Sequence, residues 1–249
     1  MFRLIKLRPP HGWNAVAWEL AIVTLGVLLA LAVQRWSENR ELQEKVHASK
    51  AALRDELSEH YEYAVEFRTV YPCIHAQLRR LRDHVLVSGP VMDPVPIYKE
   101  QSFQFVIRFP SKVHPTDAWD AAVNDGLNQH FEPLFRRQLA GHYAQIPQIR
   151  ALISANDDAE QGLAALTHRL PLDSALRFSI IERIERLRGR TDTLDLYYGQ
   201  QIEYIQKAEM LPAPERAQAV TERYGTYKFC KAQGLPMRSF EDAMQSVPN

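Results

Sequence analysis

Any chemistry in this chain must come from dispersed residues, because the familiar catalytic spacings are missing. There is no HExxH, no GxSxG and no phosphate-binding glycine loop. The nine histidines are scattered. Glu56 and His60 stand four apart on a predicted helix, where two side chains share a face and could contribute to a metal site. Two ligands do not complete such a site, and a solvated helix pair is the ordinary outcome of that spacing. Arg79, Arg80 and Arg82, beside His75 and His84, form a basic cluster that suits an anion, lipid headgroups or simply a solvated face. Glu182, Arg183, Glu185, Arg186 and Arg188 fit intrahelical ion pairs. Tyr197, Tyr198 and Tyr204 either line a pocket or, as aromatic residues at helical spacing usually do, fill a core. These residues assign no catalytic group, no metal and no cofactor.

The two cysteines, Cys73 and Cys230, form no CxxC pair, so the common structural zinc spacing is absent. If the intervening helices fold back, a bridge would tie two distant parts of the chain. Closing so long a loop contributes on the order of 4–5 kcal/mol in the chain-entropy model, less if strained. Two separate buried thiols are the alternative.

The elements that would position these residues begin with a hydrophobic run. From Ala15 to Val33 only Glu19 and Thr24 interrupt an apolar sequence. At about 1.5 Å per residue it covers about 28 Å, against a hydrocarbon core of about 30 Å. Trp13 and Trp18 stand at one end and Trp36 at the other, the placement indole rings take at membrane interfaces. The expected partner is therefore a lipid bilayer. A cleaved signal peptide competes, with Arg3, Lys6 and Arg8 as its charged region and Ala30-Leu31-Ala32 as its cleavage site. No helix breaker precedes those small residues, and helical patterning continues past them. Arg3, Lys6 and Arg8 before the span are matched by Arg35, Arg40 and Lys45 after it, so loop charge does not set the orientation. A short basic tail is typical of an uncleaved anchor with its N-terminus in the cytoplasm, which would put both cysteines in an oxidising compartment. Glu19, Gly26, Ala30 and Gln34 share one helix face. Small residues there permit close helix approach, which predicts self-association or pairing with another membrane protein.

Behind the span the chain reads as all-α. Segments 1–14, 15–36, 37–88, 89–115, 116–233 and 234–249 read in turn as a short basic tail, a transmembrane helix, an amphipathic helical stalk, a proline-rich irregular segment, a helical domain and a C-terminal tail. In the stalk, Leu42, Val46, Leu53, Leu57, Ala64, Ile74, Leu78, Leu81 and Val85 follow helical spacing, with Pro72 expected to kink or restart the helix. The seam fits a helix packed on its own domain better than a dimeric coiled coil. Phe103, Phe105, Ile107 and Phe109 alternate like a strand, yet no second strand candidate stands out; a packed loop or a short helix over 97–107 fits equally. Thr116 is expected to cap one helix and Pro133 to begin another to about Ile153, kinked at Pro147. Asn156 or Asp157, Asp173 and Asp192 are expected to open three more, the last ending near Met210. A final helix is expected over 215–224, and Ser239 can cap a short one.

The run Trp18-Glu19-Leu20-Ala21-Ile22-Val23, the stretch from Gly26 to Leu31, and Gln34, Trp36, Glu38 and Arg40 resemble the N-terminal signature of an uncharacterised family of bacterial single-span membrane proteins. Trp119, Ala122, Gly126, Leu127, Leu139 and Tyr143 resemble a second stretch of that family. Trp18 and Ser37 stand where the family pattern carries glycine and asparagine. The family carries a domain of unknown function, so the resemblance implies the bacterial inner membrane as location and implies no activity. Thirty basic residues balance thirty acidic ones, which argues against nucleic acid as a partner. The expectation is a membrane-anchored helical interaction or sensory domain. Its rivals are an envelope enzyme built from the histidines, Glu56 and the arginine cluster, and a subunit that binds a partner's membrane helix.

Overall fold

The structure is a computed structural model that describes residues 12–100 and 103–247, with the side chains of residues 12–15, Glu100 and Phe103 left out of the description. The basic tail residues Arg3, Lys6 and Arg8 and the Trp13 side chain therefore lie outside what is described. The described residues are mostly helical, with seven α-helices. They divide into two compact units, residues 1–50 and 51–249.

The described part of the first unit is helix throughout. It opens α1, which is assigned from Gly12 to Val87. An 18-residue window of α1 reaches a mean hydropathy of 2.3 with none of it buried. Leu20, Ile22, Val23, Leu25, Val27, Leu28, Leu29, Leu31 and Val33 are all exposed. One helix among the described residues is thus long and apolar enough to cross a membrane.

The second unit is built around the rest of α1. Pro72 lies inside the helix, so the expected restart does not occur. In the turn before it, the Thr69 carbonyl accepts the Arg238 N–H at 2.9 Å. Leu53, Leu57, Ala64, Ile74, Leu78, Leu81 and Val85 are buried, as their spacing predicts. Residues 60–70, Tyr63 apart, are buried on every side. An amphipathic helix buries one stripe, whereas a helix closed in all round is the centre of a core. Helix α1 ends at the Ser88-Gly89-Pro90 run, where Ser88 N donates to the His84 carbonyl at 3.2 Å. Arg177 gathers the orphan carbonyls of that end. Its Nη2 donates to Ser88 and Gly89 at 2.7 and 3.1 Å, and its Nη1 to Val85 and Leu86.

The proline-rich segment does hold a strand pair. Strand β1 (Val91–Met92) is followed by β2 (Tyr98–Glu100) and β3 (Phe103–Phe105), and β2 pairs antiparallel with β3. The missing partner was the short run Tyr98–Glu100, which carries two charges in three residues and so shows no apolar alternation. Helix α2 is Asp117–Asn124 and α3 is Pro133–Gln161. Helix α3 passes Pro147 and continues beyond Ile153, with Asn156 buried inside it, so no new helix opens at 156 or 157. Strand β4 (Leu170–Pro171) pairs with β1. Helix α4 runs from Ser174 to Lys207. Asp173 caps it as expected, accepting Leu176 N–H at 2.7 Å. Asp192 opens nothing; it sits inside α4, accepts the Tyr71 hydroxyl at 2.8 Å and lies 2.8 Å from His75 Nε2. Helices α5 (Pro214–Thr221), α6 (Gly225–Ala232) and α7 (Phe240–Met244) complete the chain, and Ser239 caps α7.

Helices α3 and α4 pack on each other, and glycine sets their approach. A Cβ on Gly141 of α3 would stand 2.6 Å from Tyr204 Cε1 on α4. Asp195 of α4 joins three parts of the fold. It receives both arms of the Arg238 guanidinium at 2.9 and 3.0 Å, and Arg68 Nε of α1 lies 3.5 Å away.

Candidate functional site

The cysteines come together. Cys73 Sγ on α1 and Cys230 Sγ on α6 are 2.01 Å apart, with both residues fully buried and Cα atoms 6.0 Å apart. The separate-thiol alternative is excluded by that pairing.

Glu56 and His60 are not a solvated pair; both are buried. Their surroundings explain why the four-residue spacing could not reveal it. Glu56 accepts the Ala118 N–H at 2.9 Å with Oε2 and the Tyr143 hydroxyl at 2.5 Å with Oε1. Ala118 lies in the first turn of α2, so the carboxylate on α1 satisfies an orphan donor of another helix and complements its dipole. Thr116, the expected cap, makes no capping bond and donates its hydroxyl to Asp120 at 2.8 Å. Trp119 stacks on Tyr143 with ring centroids 5.1 Å apart.

His60 meets two further histidines, from different parts of the chain. His60 Nδ1 and His142 Nε2 of α3 are 2.8 Å apart, with the rings stacked at 5.1 Å. The His114 ring, in the segment before α2, is centred 5.4 Å from that of His60. The Lys112 carbonyl lies 3.2 Å from His114 Nδ1. A carbonyl can only accept, so Nδ1 carries the proton and Nε2 is left to accept from the Tyr198 hydroxyl at 3.3 Å. Among His60 and His142, one ring donates and the other accepts across their shared bond. Their remaining nitrogens, His60 Nε2 and His142 Nδ1, are buried without a hydrogen-bond partner among the described residues.

All three rings are held neutral. Burial is the main cause, lowering His60 to about 3 and His114 to about 4, and His142 well below its ordinary value. His114 also depresses His60, and both depress His142. Arg150 adds to this effect on His60 and His114, and its guanidinium donates to the His114 carbonyl. Nearby, Glu66 is raised to about 7 by burial, with Lys112 (Nζ 3.4 Å from Oε2) and Arg108 opposing less strongly. Tyr198 is pushed upward by burial. Sequence reading missed His114 and His142, since neither lies at ligand spacing from His60. Among the described residues no group of three or more histidine, cysteine or carboxylate side chains is arranged to hold a metal ion.

The arginine cluster lies elsewhere on the same unit. Arg79 and Arg82 line a cleft of about 310 Å³ with His75 and Leu78 of α1 and Ile184, Glu185 and Arg188 of α4. Arg80 and His84 line a different cleft, of about 280 Å³. The predicted cluster is thus split between two sides of α1, as residues one apart on a helix must be. Of the tyrosines, Tyr198 is core while Tyr197 and Tyr204 are half-buried.

On the first unit, Glu19, Gly26, Ala30 and Gln34 are exposed, and a Cβ at Gly26 would meet nothing within 4 Å. Gln34 Nε2 donates to Glu38 Oε1 at 2.8 Å. Trp18 and Trp36 are exposed at the two ends of the apolar run.

Compared with family models, with curated proteins and with solved structures, the chain matches none.

Proposed function

We propose that this chain is a single-span membrane protein whose helical domain acts as an interaction or sensory module on the periplasmic side of a bacterial inner membrane. The reading is carried by one contrast. The first unit leaves an unbroken apolar helix surface uncovered, while the second closes its own core so completely that three histidines inside it stay neutral. An uncovered helix of that kind suits lipid. The bonded cysteines fit an oxidising compartment, and hence a cytoplasmic N-terminus. The resemblance to the single-span family agrees with that location.

The histidine cluster gives the sensory reading its chemical content. Protonating any of the three rings places a charge in a site without a counter-charge of its own, so the closed core has a proton-linked alternative. Glu56, one helical turn before His60, is already engaged by Ala118 and Tyr143.

The topology is tested by denaturing cells directly in excess alkylating reagent without reductant, then reducing and labelling the cysteines that this frees. Cysteines that become accessible only after reduction support the reading; cysteines alkylated before reduction reject the compartment. The sensory role is tested by hydrogen exchange on the membrane-embedded full chain. Protection of the backbone around His60 and His142 should fall as pH drops from 7.5 to 5. Unchanged protection across that range removes the proton as stimulus.

A further inference from the structure

We infer that the cleft between α1 and α4 is a binding site for a phosphate-bearing anion, taken through Arg79 and Arg188, with Arg82 beside them already held by Asp83. None of these residues belongs to the histidine cluster, so the inference goes beyond the proton-linked reading and stands apart from it.

The cleft brings three guanidiniums onto one lining that contains a single carboxylate, Glu185. Glu185 is shared. Its Oε2 takes Arg188 Nη2 at 2.7 Å and its Oε1 lies 3.7 Å from Arg82 Nη1. One acid thereby tethers two guanidiniums without neutralising both. Two further acids stand outside the lining and are committed. Asp83 takes Arg82 with a fork, Nε at 3.1 Å and Nη2 at 2.9 Å, so Arg82 is committed to it, while Asp192 accepts the Tyr71 hydroxyl and lies 2.8 Å from His75 Nε2. Arg79, exposed on the α1 side, has no carboxylate within ion-pair distance among the described residues. Its charge is the one left for a ligand.

The chain pattern explains the convergence. His75, Leu78, Arg79 and Arg82 fall at i, i+3, i+4 and i+7 on α1, and Ile184, Glu185 and Arg188 share a face of α4. Leu78 and Ile184 are fully buried and supply an apolar floor. A low-dielectric wall beside like charges concentrates their field on the open volume. Guanidinium forks match the oxygens of phosphate in paired hydrogen bonds. The volume of about 310 Å³ is at the small end of ligand sites. The local field leaves a trace on His75. Burial is the main reason its basicity is lowered, and Arg188 and Arg79 lower it further against the pull of Asp192.

A free phosphate and a phospholipid headgroup present the same chemistry. The test therefore uses the full chain in phosphatidylcholine nanodiscs, titrated with inorganic phosphate at constant ionic strength and followed by phosphorus NMR. A parallel series replaces part of the lipid with phosphatidylglycerol and omits phosphate, and the histidine ring resonances are followed. The expected result is saturable binding that weakens at least tenfold in Arg79→Gln/Arg188→Gln and is unchanged in Arg80→Gln. Binding should also raise the titration midpoint of His75. The first series alone responding identifies a soluble anion; the second alone identifies a headgroup. Equal behaviour of wild type and the double variant in both series overturns the inference. Protection of wild-type arginines by phosphate against phenylglyoxal supplies a readout independent of variant folding. Modification of Arg79 at the same rate with and without phosphate, and with and without phosphatidylglycerol, overturns it as well.

Discussion

His60 Nδ1 and His142 Nε2 stand 2.8 Å apart, on two helices whose histidines are 82 positions apart in the chain. Neither ring can accept a proton without losing that arrangement or charging the core. The folded values of His60 and His114, about 3 and about 4, lie below the ordinary value of 6.5, and His142 lies well below it. The unfolded chain therefore binds more protons over roughly pH 4–6.5, and stability falls as pH falls through that window. Replacing His142 with Gln, which keeps a nitrogen near Nε2, should remove about one proton, or about 1.4 kcal/mol per pH unit of slope. Urea unfolding of the detergent-solubilised chain at several pH values measures it. A slope unchanged by His142→Gln would exclude this histidine as a contributor.

Glu66 works in the opposite sense. Its folded value of about 7 lies above the ordinary 4.5, so its stabilising share is complete below pH 4.5 and is lost as pH rises through 7. Glu66→Gln should therefore gain stability relative to wild type with rising pH, by an amount on the order of 3 kcal/mol at pH 8 before the loss of its Lys112 contact is subtracted. Parallel unfolding titrations at pH 4.5 and 8 decide the matter. A difference between the two proteins that does not change with pH would sink the assignment.

Asp195 holds Arg238 with two hydrogen bonds and lies beside the buried Arg68. Asp195→Asn leaves two guanidiniums without their carboxylate, and breaking such a partly buried pair costs about 3 kcal/mol. Arg238→Lys keeps the charge and loses the fork, so its cost should be smaller. Chemical denaturation midpoints rank the two variants. The reverse order would show that charge, not geometry, matters little at this junction.

Gly26 has open space around it, so Gly26→Ile should leave the fold of an isolated chain intact. If the Glu19–Gly26–Ala30–Gln34 face pairs with another helix, the bulkier side chain should reduce the associated fraction severalfold. Sizing in mild detergent, with cross-linking in membranes, reads this directly. Identical complexes in both proteins end the pairing idea.

Patterning identified those elements whose determinants are local. The apolar run from Leu20 to Val33, the buried seam from Leu53 to Val85, and the caps at Asp173 and Ser239 each depend on neighbours within a few residues. Asn156 and Asp192 misled because local caps yield when tertiary contacts carry a helix through them. Asp192, for example, spends its carboxylate on Tyr71 and His75 of another helix. The histidine cluster was out of reach for a related reason. His60, His114 and His142 share a site only because α1, α3 and the segment between them converge. Glu56 looked like half of a metal site and proved to be the remote cap of α2.

The Cys73–Cys230 bond also bears on what happens if the chain is cut. Every peptide bond between those two residues, including the proline-rich stretch and the links between α2, α3, α4 and α5, lies within a covalently closed ring. A protease that severs one of them yields two polypeptides that stay joined, and the C-terminal piece remains leashed to the segment bearing the apolar helix. Shedding would require two events, a nick and a reduction. The nicked form would run as one band on a non-reducing gel and as two after reductant.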